Sequence, residues 1–119
     1  MKTNNCIGAL WVSGALALTG CQSSTPLSYW GNYENAAYAS YKKPGDATPE
    51  VQIAKLKEDL EKAAAKGLPP NPGLHAYLGY AYYEAGNKDQ AAKEFEAEKS
   101  LYPDSGQFMD RLLAKLKTK

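Results

Sequence analysis

Apolar residues recur along this chain at intervals of three and four from about residue 31 onward, and no segment alternates apolar with polar long enough to make a strand. Tyr33, Ala37 and Tyr41 predict a first helix over about residues 31–42, stopped by Pro44-Gly45. Thr48-Pro49-Glu50 reads as the next start, with Thr48 as N-cap and Pro49 in the first turn. Ile53, Leu56, Leu60, Ala63 and Ala64 then form one apolar face down to Gly67. Beyond the prolines at 69, 70 and 72, a third helix is marked by Leu74, Tyr77, Leu78, Ala81, Tyr82 and Ala85 and ends at Gly86-Asn87. Ala91, Ala92, Phe95 and Leu101 give a fourth, ended by Pro103. Asp104 or Ser105 caps a last helix over residues 105–117, with Phe108, Met109, Leu112, Leu113 and Leu116 apolar and Arg111, Lys115 and Lys117 placed to complement its dipole. The expectation is an all-α domain of about five helices whose short connections make successive helices antiparallel neighbours.

One apolar run breaks the pattern. Residues 7–18 are apolar without helical spacing, follow Met1-Lys2, and are too few to span a bilayer. The run closes in Leu18-Thr19-Gly20-Cys21, which resembles a bacterial lipoprotein signal. That resemblance implies cleavage before Cys21, a diacylglycerol thioether on its sulfur and an acyl chain on its new amino group, several chains together making a stable anchor. Gln22 rather than Asp after the cysteine resembles the signal for transfer to the outer membrane, on the periplasmic face. An ordinary cleaved signal, with Cys21 incidental, is the alternative. The expected organisation is a signal peptide at 1–20, a lipidated tether at 21–28 and a helical domain at 29–119.

Cleavage changes the composition in two ways that matter. Of 119 residues 99 remain, with Cys21 the only cysteine, so no disulfide forms within the domain and its core alone holds it. Lys2 also leaves, so 13 basic residues face 13 acidic ones. No basic field attracts nucleic acid, and no second apolar stretch reaches transmembrane length.

Residues 72–105 have the length of one tetratricopeptide repeat and resemble its pattern at Leu78-Gly79, Tyr82, Gly86, Ala91, Phe95, Leu101 and Pro103. Small residues at 79 and 91 let two helices cross closely, Tyr82 and Phe95 fill the crossing, and Gly86 permits the turn. His75, Lys88 and Glu98 depart from the pattern. Residues 30–67 read as a degenerate first unit with an insertion near Gly45, Leu56, Leu60 and Ala63 lying in its second helix and Tyr38, Tyr41 and Gly45 in its first; the last helix caps the stack. Tyr29-Trp30-Gly31-Asn32-Tyr33-Glu34, together with the stretches 72–80, 98–105 and 108–110, resembles a family of small proteobacterial lipoproteins of unknown function. Members of that family lie beside a lipoprotein similar to the curli-secretion channel, which implies a helper of an envelope assembly or secretion complex with protein partners.

Catalytic chemistry finds little support in the residues. His75 is the only histidine, with no thiol or second imidazole to share a zinc ion, and reads as packed or hydrogen-bonded. Glu58, Asp59 and Glu61, and likewise Glu94, Glu96 and Glu98, read as solvated helix faces laced with lysines. No cofactor, small-molecule substrate or enzymatic activity is expected. Nine tyrosines, however, are more than a small core needs. The tetratricopeptide resemblance implies that Ala76, Tyr80, Tyr83 and Glu84 line a partner-binding groove; alternatively both tyrosines pack on Trp30, Tyr33 or Tyr41. The reading is a non-enzymatic outer-membrane scaffold, with a cell-wall-binding lipoprotein or a non-catalytic subunit of an envelope enzyme as alternatives. Cys21→Ala should abolish labelling by radioactive palmitate and leave an unprocessed precursor; labelled, shortened protein from that variant would refute the anchor.

Overall fold

The computed structural model describes residues 26–42 and 47–118; the signal segment, Cys21, the first residues of the tether and the Pro44-Gly45 break lie outside them. Five α-helices follow in chain order: α1 Tyr33–Lys42, α2 Pro49–Ala65, α3 Leu74–Glu84, α4 Lys88–Leu101 and α5 Gly106–Lys117, with a 3-10 turn Pro103–Ser105 before α5. Among the described residues there is no strand, only a single bridge between Tyr29 and Pro70, so the chain is all-α. Each helix packs on the one that follows it.

The ends of these helices are set by local chemistry. Thr48 Oγ1 accepts from the Val51 N–H, with Pro49 in the first turn where its missing donor costs nothing, and Asn87 Oδ1 accepts from the Gln90 N–H in the same way. Gly86, at φ 80°, supplies the left-handed turn between α3 and α4. Ser105 departs from expectation: its hydroxyl donates to the Tyr102 carbonyl at 2.7 Å, and α5 starts at Gly106 without a side-chain cap. Its backbone is already helical, at φ −79° and ψ −8°, whereas a capping residue is extended.

Two apolar clusters make the core. Ala36, Leu56, Leu74 and Leu78 meet between α1, α2 and α3; Ala91, Phe95 and Met109 meet between α4 and α5, and Tyr82 touches both clusters. Gly79 is what lets α3 approach α4: a Cβ there would lie 2.6 Å from Phe95 Cε1 and 3.1 Å from the Ala91 carbonyl. Several expected core positions are exposed, Ala85, Leu101 and Phe108 among them. Tyr41 is 87% exposed and α1 buries Ala36 instead, because α1 is the terminal layer and needs only a narrow contact. Ala64 is also exposed, since the seam of α2 runs through Gln52, Leu56, Asp59 and Ala63. Ser28, assigned to the tether from sequence, is buried.

The larger departure concerns carboxylates. Asp59 and Glu98, read from sequence as solvated, are among the most buried side chains described. Asp59 Oδ2 accepts from the Asn32 N–H at 2.7 Å and Oδ1 from the Asn32 side chain at 3.2 Å, at the start of α1. Glu98 Oε1 accepts from the Gly73 N–H at 2.7 Å and Oε2 from the Ala76 N–H at 3.3 Å, at the start of α3. Each second helix therefore caps the first from its own C-terminal half, which requires the two to run in opposite directions. The registers coincide. Counted from Pro49 and from Lys88, Asp59 and Glu98 are both eleventh residues, and Leu56 and Phe95 both eighth.

Urea unfolding should separate the two kinds of bond. Phe95→Ala is expected to cost about 3–5 kcal/mol by emptying the crossing under Gly79, and Glu98→Ala about 1–3 kcal/mol for the donors it orphans. A loss under about 1 kcal/mol for Phe95→Ala would place the ring outside the core.

Candidate functional site: the groove between α3 and α5

The side of α3 that faces away from its buried seam carries Tyr80, Tyr83 and Glu84 exposed, with Ala76 half-buried beside them. Tyr80 and Tyr83 are three residues apart and each 45% exposed. Tyr77 meets the first helix pair, its ring edge-on to that of Tyr33 at 6.1 Å between centroids. The Tyr80 hydroxyl donates to Glu84 Oε1 at 2.7 Å, one turn on, which fixes the ring against the helix.

The opposite wall comes from α5. A narrow cavity of about 190 Å³ lies among Tyr80, Tyr83, Phe95, Leu112, Lys115 and Leu116. A wider one of about 640 Å³ continues past Ala76, Phe108 and Leu112 to Tyr33 and Glu98. The two share Tyr80, Leu112 and Lys115 and so form one groove. All four residues expected from sequence stand on α3, but only Ala76, Tyr80 and Tyr83 line these cavities; Glu84 acts on the rim through Tyr80.

The electrostatics of the groove are simple. Glu98 lines the wider cavity with each carboxylate oxygen accepting from a backbone N–H. The hydrogen bond to Glu84, then burial, raises the Tyr80 hydroxyl above its ordinary 10.0, and burial, then the Glu98 charge, does the same for Tyr33. Both phenols stay neutral at physiological pH. Lys115, on the rim, is the cation of both cavities. The site thus offers aromatic and aliphatic walls, the hydroxyls of Tyr33, Tyr77, Tyr80, Tyr83 and Ser105, and one ammonium, the mixture of apolar area and polar groups that interfaces carry.

His75 lies apart from this groove. Its Nδ1 is 2.7 Å from Glu94 Oε2, both side chains being largely covered, so Glu94 also leaves the expected solvated face and locks α3 to α4. No group of three metal-ligating side chains occurs among the described residues. Between α4 and α5 a shallow concavity of about 750 Å³ is rimmed by Lys93, Glu96, Asp110 and Lys117 and lacks aromatic residues.

Sequence reasoning placed α3's share of the groove and missed α5's. Phe108, Leu112 and Lys115 recur at helical spacing, and the signal was there in the width of α5's apolar face, which exceeds what one neighbour covers. The sequence profile of the family described as Domain of unknown function (DUF4810) matches residues 27–112. Comparison with curated proteins gives no match, nor does comparison with solved structures.

Neighbouring residues of α5 should respond oppositely to truncation. Met109→Ala is expected to cost about 2–5 kcal/mol, while Phe108→Ser, on the groove side and exposed, should stay within about 0.5 kcal/mol in urea unfolding. Equal losses would mean that α5 sits differently on α4.

Proposed function

The chain belongs to the DUF4810 family, whose description assigns no activity, and we propose from its own residues that it is a lipid-anchored outer-membrane scaffold. It holds a segment of a protein partner in the groove between α3 and α5. The observation that carries this reading is the groove itself: Tyr80, Tyr83, Phe108 and Leu112 are held by helices and yet left partly or largely uncovered. Tyrosine gives rigid amphipathic contact area with little entropy to lose, which is what interface anchors require.

The arrangement is tetratricopeptide-like in this reading. Support comes from the recurrence of features at 39 residues: the caps Thr48 and Asn87, the seam residues Leu56 and Phe95, and the carboxylates Asp59 and Glu98. Left-handed glycines, Gly31 and Gly73, precede α1 and α3, 42 residues apart, so the three-residue surplus falls in the connection between α1 and α2. Tyr38 and Tyr41 on α1 stand in the register of Tyr80 and Tyr83 on α3. In such a stack the first helix of each unit lines the concave side, and α5 both caps the second unit and closes the groove. The anchor at Cys21, the outer-membrane address and a partner similar to the curli-secretion channel lipoprotein complete the proposal.

Tyr80→Ala combined with Tyr83→Ala tests it. Co-purification of envelope partners from detergent extracts should weaken by about 1–4 kcal/mol, with helical content and melting temperature unchanged. Undiminished recovery would move the contact elsewhere, and a fall in melting temperature would return both rings to the core.

A further inference from the structure

The α1 edge of the molecule carries apolar and aromatic surface that neither the core nor the groove uses. Leu27 is 94% exposed and Tyr41 87%, Trp30 is half uncovered and Tyr38 more than half. None of the four lines the groove between α3 and α5. Tyr38 and Tyr41 share one side of α1, and Trp30 stands at its start with its ring 6.4 Å from that of Tyr33, edge-on. Cations accompany the rings. Lys42 Nζ lies 5.2 Å from the Tyr38 centroid, and Lys66 Nζ 4.7 Å from that of Tyr29. Glu34 is the one carboxylate in α1.

We propose that this edge is a bilayer-contact face, with Leu27, Trp30, Tyr38 and Tyr41 lying at the headgroup level of a glycerophospholipid membrane and Lys42 and Lys66 reaching its phosphates. Tryptophan and tyrosine concentrate at that depth because their rings are apolar and their N–H or O–H is not, and lysine stems lie along apolar surface with the ammonium in the polar layer. The face is also the part of the fold that the tether delivers. Tyr29 is fixed on the body, its N–H donating to the Pro69 carbonyl at 2.9 Å and its carbonyl accepting from the Asn71 N–H at 3.1 Å. It lies eight positions beyond Cys21, a reach of about 26–29 Å at full extension. For this proximity the inference rests on the proposed lipid anchor; for the attraction it rests on the face's own chemistry.

Trp11 and Trp30 are the two tryptophans of the chain, so Trp11→Phe makes Trp30 the sole reporter whether or not the N-terminal segment is removed. The full chain in that background is reconstituted into vesicles of phosphatidylethanolamine and phosphatidylglycerol, with bromine atoms near the headgroup end of the acyl chains. Most of the Trp30 emission should be quenched, and access of aqueous acrylamide lost. Tyr38→Ser with Tyr41→Ser, and separately Lys42→Glu with Lys66→Glu, should restore much of the emission without changing helical content. Unquenched emission with Trp30 open to acrylamide overturns the proposal. So does protection of Trp30 that appears only when envelope proteins are added, since the face then meets protein. Intact mass of the same sample reads acylation of Cys21 separately. An unacylated chain, held in the vesicle by its N-terminal apolar run, would remove the anchor while Trp30 quenching still decides the face.

Discussion

A carboxylate taken out of water must be met by donors, and in this fold the donors are the free N–H groups at the start of the neighbouring helix. Asp59 meets Asn32, and Glu98 meets Gly73 and Ala76. The consequence is geometric as well as energetic. Each bond ties the far half of one helix to the beginning of the helix before it, and so fixes direction, depth and register of a pair at once. Apolar contact alone, with Leu56 or Phe95 sliding over small neighbours, would specify the pair less tightly.

The groove follows from that constraint. Glu98, by holding the start of α3 against α4, sets the height at which Tyr80 and Tyr83 emerge, and Gly79 brings α3 close enough to Phe95 for α5 to reach across on Met109. Met109 is buried while Phe108, its neighbour, is not, so α5 contributes one residue to the core and the next to the opposite wall. Lys99 reaches Asp110 at 2.6 Å and Lys88 the Leu116 carbonyl at 3.3 Å, ties on the surface that keep α5 in place at both ends.

What could be read from the sequence was what depends on neighbours in the chain. The Thr48 cap, the Gly86 turn and the stop at Pro103 all carry local signatures, and all stand where expected. Asp59 and Glu98 do not. On a helix flanked by lysines a buried carboxylate looks like any surface acid, because the donors it serves lie 22 to 27 residues away. Glu98 has the start of α3 to cap, and spacing along α4 does not display that partner. Tyr41 was misplaced for another reason, since spacing shows that residues share a face and not which face is covered. The α5 wall showed in the sequence only as an apolar face wider than one neighbour covers, because a groove belongs to two helices and the sequence displays them one at a time.

The bridge at Tyr29 determines how the molecule answers a mechanical pull. Were the segment before α1 attached to the body only through α1, tension on it would peel that helix from α2 one contact at a time, from the end inward. Instead Tyr29 is bonded on both sides of Pro70, and the Tyr102 hydroxyl donates to the Pro70 carbonyl from the end of α4. Tension arriving at Pro26 therefore enters at the junction between the two helix pairs, where the bonds of Tyr29 and that of the Tyr102 hydroxyl share it with α4.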